Sequence, residues 1–449
     1  MKRVFCFLGF VLVLNSITAY PDLPLRISNN FETDYPTNTY YHSDKMVDIG
    51  DFIWAVFNDT IVVKINKKTG ISTFAPFEMP RCAWQENLEE SYRTENNKEW
   101  ILALQKDKEN NLYIGGSWRI SKFDGNNLTD IVHAKDFPWP PMQIFCYSEM
   151  AFDEDNTCYA AGNFDFTYNL LINKNGNNSL KQITGVYNMN SMAQETVGLG
   201  FDSKGDIWFA TNHYGCSTLN LLKKGSDTAE QKFKLDTKNA EYGHTFLSMT
   251  IDKNDNIWLT SRHDGIFCYS SATNTMHNYT AENHSEISGT IFFCSTQKDD
   301  NGNIWFCSDS MLMKYDGTHF STYECTEIKN VICMLCVNDT IWLYRNDKKI
   351  TRFTANGICT TYPLNPEETS IEGALETSPN NPELFIFYSN NLLTIRNYDA
   401  IGDFAIFDIA GKKLVAETCK ENNYFMPIAL SKGIYIIKTK NENRKIVVK

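Results

Sequence analysis

The stretch Phe246 to Thr280, FLSMTIDKNDNIWLTSRHDGIFCYSSATNTMHNYT, decides the fold. Leu247, Met249 and Ile251 alternate with polar residues, Asp252 to Asn256 is turn chemistry, and Ile257-Trp258-Leu259 is a continuous apolar run. Asp264-Gly265 marks a tight turn, and Ile266 to Tyr269 and Met276 to Thr280 supply two more strands. The spacing predicts an antiparallel sheet of four strands. Its central strands are apolar on both faces, so a single sheet cannot keep both dry and needs a like unit against each side.

That requirement predicts repetition, and the turn-plus-strand core does recur. It appears as DKENNLYI from Asp107, DEDNTCYA from Asp153, DSKGDIWF from Asp202, DKNDNIWL from Asp252 and DDNGNIWF from Asp299. Worn copies open and close the series at Gly50-Asp51-Phe52-Ile53-Trp54 and Asn338-Asp339-Thr340-Ile341-Trp342. The aromatic slot therefore falls at Trp54, Tyr113, Tyr159, Trp208, Trp258, Trp305 and Trp342, at intervals of 59, 46, 49, 50, 47 and 37 residues. Helix signals are nearly absent from the chain. The expected class is all-β, a seven-bladed β-propeller with a small C-terminal immunoglobulin-like β-sandwich. An eighth, incomplete blade is the alternative, built from Ile371 to Asn397 with Leu23 to Ser28 as its outer strand. Seven is preferred because Leu384 to Ile395 also fits the first hairpin of the C-terminal domain.

Composition narrows the function classes. The 449 residues are 42% hydrophobic and 13% aromatic, which suits an ordered core rather than a disordered chain. Met1-Lys2-Arg3 followed by the apolar run Val4 to Leu14 has the form of a signal peptide, expected over 1–19 with cleavage after Ala19. No later stretch is apolar and long enough to be expected as a transmembrane segment. The formal charge is −12, and losing Lys2 and Arg3 with the leader takes it to −14. From Leu384 onward ten basic residues meet six acidic ones, a net +4, which leaves the propeller at −18. Nucleic acid and anionic membrane are thus poor partners.

Cysteine chemistry gives little. Of 13 cysteines, Cys6 leaves with the leader and twelve remain, in a compartment that permits disulfides. Cys158, Cys268, Cys294 and Cys307 fall within expected strands, where a thiol packs as a small core group. Cys333-Met-Leu-Cys336 has C-x-x-C spacing, but strand positions three apart face opposite ways. The D-x-N-x-N and D-x-D-x-T starts at Asp252 and Asp153 imitate a calcium loop without the bidentate Glu at its twelfth position. Turn capping accounts for them. No metal and no cofactor are expected.

Two families are resembled at specific residues. NIWLTSRHDGIFCYS and DIWFATNHYGCSTLN are similar to the D-x-x-G-x-I-W-x-x-T-x-x-G-L repeats of the two-component-regulator propeller family, found in the outer sensing region of bacterial hybrid kinases. The chain has no kinase behind these repeats, so signalling is not implied. The related streptogramin lyase repeat usually reads D-G-x-L-W-F-T-E, and its Glu is replaced here by Thr211, Ser261 and Ser308, at or near that place. The tail runs Leu392-Leu393-Thr394-Ile395, Phe404 to Val415, Gly433 to Lys438 and Lys445 to Lys449. These segments resemble the type IX secretion C-terminal sorting domain. The resemblance implies export through the type IX secretion machinery by residues 384–449, to the outer cell surface or the exterior, with a propeller over 20–383.

In an up-and-down blade the turns between second and third strands share one face with the blade-to-blade connectors. That face gathers Arg81, Trp84, Trp139, His213, Tyr214, Tyr242, His244, Arg262, His263, His284 and Asp309, and is the expected binding face. Trp84 and Trp139 lie in the two longest connectors, outside the repeat slot. Each either presents a flat ring to a sugar or a partner, or tucks onto a blade rim. His213 and Arg262-His263 lie at equivalent turns of adjacent blades, as an acid/base pair with an anion clamp or as ordinary turn residues before Gly215 and Gly265. The expected ligand-binding set is therefore Trp84, Trp139, His213, Tyr214, Arg262 and His263. The expected function is recognition of a glycan, peptide or protein, without catalysis; the rival is a lyase or glycan-cleaving enzyme using the same histidine-bearing face.

Overall fold

A computed structural model of the chain describes residues 45–81, 98–116, 119–133, 146–163, 169–186, 195–213, 216–236, 246–287, 293–308, 310–354, 357–366, 385–389, 392–396, 402–420, 423–428, 430–431, 433–439 and 443–448. Among these residues the protein is all-β, with a 3-10 turn at Ser285–Ile287. The strands of the opening stretch are Phe246–Ile251, Ile257–Ser261, Ile266–Ser270 and Thr275–Tyr279. They pair antiparallel in chain order.

Seven such four-stranded sheets are described, spanning 46–74, 101–133, 146–182, 195–236, 246–279, 293–323 and 331–363, here blades 1 to 7. The first strands of successive blades touch one another, and the first strand of blade 7 touches that of blade 1. This closes a β-propeller with the first strands lining its axis. Apolar clusters fill the spaces between blades. Trp208 and Leu219 of blade 4 pack with Phe246 and Leu259 of blade 5, and Ile53 and Val63 of blade 1 pack with Trp342 and Tyr362 of blade 7. Ser72 Oγ donates to Pro363 O at 2.8 Å and Arg352 Nη1 to Lys67 O at 3.0 Å, fastening the ends of the ring.

The aspartate of each repeat shapes the turn into the second strand. Asp252 Oδ1 accepts the backbone N–H groups of Asn254 and Asn256 at 2.8 and 2.9 Å, and Oδ2 accepts the Trp258 indole N–H at 3.1 Å. Asp202 binds Trp208 and Asp299 binds Trp305 in the same way, at 3.0 and 2.8 Å. The fourth turn position has a left-handed backbone in Asn110, Asn156, Gly205, Asp255 and Gly302, which is why only Asn, Asp or Gly stands there. Two of these side chains also cap the neighbouring blade: Lys108 N–H donates to Asn156 Oδ1 at 3.0 Å and Ser203 N–H to Asp255 Oδ1 at 2.8 Å. With these carboxylates occupied by turn donors, capping explains the aspartates without a cation.

One feature departs from the simple alternation expected of Leu247, Met249 and Ile251. A β-bulge interrupts the inner strand at Leu247, between the register partners Phe246 and Ser248. Equivalent bulges fall at Leu102, Ser148, Val197, Cys294 and Ile332. An extra residue there sharpens the local twist, which suits strands gathered around an axis.

The tail is a sandwich of two sheets. Phe385–Ser389, Leu392–Arg396 and Asn423–Pro427 form one; Lys413–Cys419, Gly402–Asp408, Gly433–Thr439 and Asn443–Val448 form the other. Leu393 and Ile395 of the first pack with Phe404, Ile406 and Ile437 of the second. The hairpin 385–396, open to an eighth-blade reading in sequence, pairs with 423–427. Leu23 to Ser28 lie outside the described residues.

Candidate functional site

The first strand of a blade runs away from the connector face, so its start, the turn between second and third strands, and the connectors all meet at that face. Three of the expected site residues, Trp84, Trp139 and Tyr214, lie outside the described residues, as do Tyr242, His244 and Asp309. The other three are placed as follows. His213 is the last residue of the strand Ile207–His213, paired with Cys216, and is only 6% exposed. Its Nε2 lies 2.8 Å from Thr211 Oγ1, which lies 2.8 Å from Thr218 Oγ1. Burial, helped by the Lys234 charge, lowers the imidazole to about 4, so it is neutral at ordinary pH. Arg262 is half-buried and His263 exposed, in a loop held by Ser261 Oγ, which accepts the N–H groups of His263 and Asp264 at 3.3 and 2.8 Å. The sequence equivalence of 213 and 263 thus conceals a difference: blade 4 carries its strand to the tight turn and folds His213 inward, whereas blade 5 opens a longer loop.

The corner between blades 1 and 2 is built more firmly. The connector that leaves blade 1 returns to meet itself, with Arg81 bridged to Lys98 and Glu99 N–H donating to Pro80 O at 2.9 Å. Arg119, nearly fully buried, donates from Nη1 to Asp130 at 2.8 Å and from Nη2 to Arg81 O at 3.0 Å, and its Nε lies 3.5 Å from buried Glu99. Lys45 Nζ donates to Ile101 O at 2.8 Å, with burial lowering its pKa against the pull of Asp59. Between Glu99 and Ile101, Trp100 stands 43% exposed. Its backbone is pinned on both sides by buried polar contacts while its ring faces solvent, an arrangement suited to stacking. Sequence reasoning gave Trp100 no role. The available signal was a tryptophan outside the repeat slot, one residue before an inner strand.

A second concavity of about 420 Å³ lies between the inner strands of blades 2 to 5, lined by residues including Gln105, Lys106, Glu149, Phe152, Phe201 and Met249. Lys106, Phe152 and Phe201 immediately precede aspartate turns, so this cavity leans toward the end opposite His263 and Trp100. Gly198 and Gly200 also line it, and a Cβ at Gly198 would lie 2.3 Å from Met249 Cβ. Close packing of inner strands is sufficient reason for that glycine.

Residues 379–449 match the family described as the secretion system C-terminal sorting domain. The protein is exported. This tail carries it by the type IX route to the cell surface or the surrounding space, and the N-terminal repeats form the cargo propeller. No curated protein matches the chain. Among solved structures, virginiamycin B lyase from Staphylococcus aureus is similar at 12% identity, covering 66% of this chain and 90% of its own, with a TM-score of 0.46. PorZ of Porphyromonas gingivalis, an essential surface component of the type IX secretion system, is 11% identical over 90% of this chain and 51% of its own, at a TM-score of 0.40. A protein described as the extracellular domain of a hybrid two-component system from B. thetaiotaomicron is 12% identical, covering 89% and 74%, at 0.32. At these scores the fold rests on the chain's own sheets, and no activity is taken from these proteins. No helix among the described residues is long and apolar enough to cross a membrane.

Proposed function

We propose that the exported propeller, residues 20–383, is a recognition module that binds an extracellular glycan on its connector face, with residues 384–449 serving only delivery. The observation that supports this reading is Trp100, an exposed ring on a backbone held beside the buried Glu99–Arg119 pair, whose guanidinium reaches out to the exposed Asp130. Arg262 and His263 are polar contacts on the same face, and Trp84, Trp139 and Tyr214 belong to the proposed set. His213 contributes by stiffening the rim of blade 4, because its imidazole is committed to Thr211.

The enzymatic alternative needs a titrating base near an anion clamp. His213 lacks the open position that such a base requires, which favours binding over turnover. A glycan and peptide array with the mature protein, run beside a lyase assay on the bound sugars, tests both. Trp100→Ala should abolish array binding while leaving the melting temperature within about 2 °C, as for an exposed substitution. Undiminished binding by that variant, or product release by the wild type, would overturn the proposal.

A further inference from the structure

Two buried thiols of blade 6 are left without a role by the binding reading. Cys294 is the bulge residue of the inner strand, skipped between the partners Phe293↔Ser308 and Ser295↔Cys307. The bulge turns its side chain onto the neighbouring strand, where Cys294 Sγ lies 3.3 Å from Cys307 Sγ and 3.3 Å from Cys307 O. Both residues are nearly inaccessible, at 1% and 0% exposure. The other inner-strand bulges carry Leu, Ser, Val, Leu and Ile, so neither the fold nor the bulge demands sulfur there.

We propose that Cys294 and Cys307 form a disulfide in the exported protein, stitching the inner strand of blade 6 to its neighbour. A disulfide needs the sulfurs at about 2.0 Å, so closure takes a movement of about 1 Å shared by two side chains whose approach is already set by the bulge. The bonded pair Cys325–Cys359 fastens the connector between blades 6 and 7 to the outer strand of blade 7, so the same part of the ring already uses this chemistry. Export supplies the oxidising compartment. The oxidant is the disulfide of a thiol–disulfide exchange protein. One cysteine thiolate attacks it and expels one thiol, then the second cysteine attacks the mixed disulfide and expels the other. Two protons and two electrons pass to the oxidant, which leaves as a dithiol.

The step belongs to folding rather than to the finished ring. Burial and the neighbouring thiols raise the Cys307 pKa, so the thiolate is scarce once blades 5 and 7 cover the pair. Cys333 of blade 7 is the competing partner, since it also acts on Cys307 and is fully buried. Trypsin separates the candidates, because Lys298 lies between Cys294 and Cys307.

The test is to recover the full exported protein from the cell surface or medium, denature it with N-ethylmaleimide and no reductant, digest it with trypsin, and sequence the peptides by mass spectrometry. The expected product joins the peptide 263–298 to the peptide 299–314 through Cys294 and Cys307, with Cys268 carrying the label. Recovery of Cys294 and Cys307 as labelled thiols, or a link from either to Cys333, would overturn the proposal.

Discussion

At the residue scale the repeat aspartate does more than punctuate a turn. Asp252 holds two backbone donors and the Trp258 indole at once, so its removal leaves buried or half-buried donors without partners. Asp252→Ala should cost about 2–4 kcal/mol, two to three times the worth of one ordinary hydrogen bond. Urea denaturation will show it as a lower midpoint, and a loss below about 0.5 kcal/mol would mean that water replaces the carboxylate. His213 makes the second prediction. Its folded pKa, about 4, lies below the unfolded value of about 6.5, so between these limits the unfolded chain binds the extra proton. Stability from the buried neutral ring is complete above about pH 6.5 and is lost as pH falls toward 4, by up to about 3 kcal/mol. His213→Gln should flatten that part of the profile relative to wild type. An unchanged slope would show that the imidazole is solvated in the folded state.

At the scale of strands and blades, packing at the axis is set by the smallest side chains. Gly198 lies where a Cβ would come within 2.3 Å of Met249 Cβ in the next blade, far inside van der Waals contact. Gly198→Ala must push blades 4 and 5 apart and should destabilise the ring by about 1–3 kcal/mol. Thermal melts read this directly, and an unchanged melting temperature would indicate that the inner strands have room to slide. The positions of the blades themselves could be read in sequence, because Asp, left-handed Asn or Gly, and Trp recur with fixed local spacing. The bulges could not. Leu102, Ser148, Val197, Leu247, Cys294 and Ile332 span five residue types, so no one side chain marks the bulge in sequence.

For the whole molecule, delivery belongs to the tail and the proposed recognition to the propeller. Deleting 384–449 should abolish arrival at the surface, as measured by surface proteolysis or by blotting of the medium, while leaving the propeller's cooperative melt. A truncated protein that still reached the surface would break the sorting assignment. Ring closure also couples the ends of the cargo. Trp342 and Tyr362 share a core with Ile53 and Val63, so both ends must be made before either is dry.

Sequence by itself determined the class, the blade register from Trp54 to Trp342 and the sorting tail, because each is written in local periodicity and turn chemistry. Only tertiary structure decided what the connector face offers. His213 and His263 occupy equivalent places in the repeat, yet one is buried against hydroxyls and the other stands exposed, in a longer loop. Trp100 gained its place beside the buried Glu99–Arg119 pair, with Arg119 also reaching the Arg81 carbonyl and the exposed Asp130, residues distant along the chain. Exposure and charge environment depend on which segments meet, and that is fixed only when the sheets close on one another.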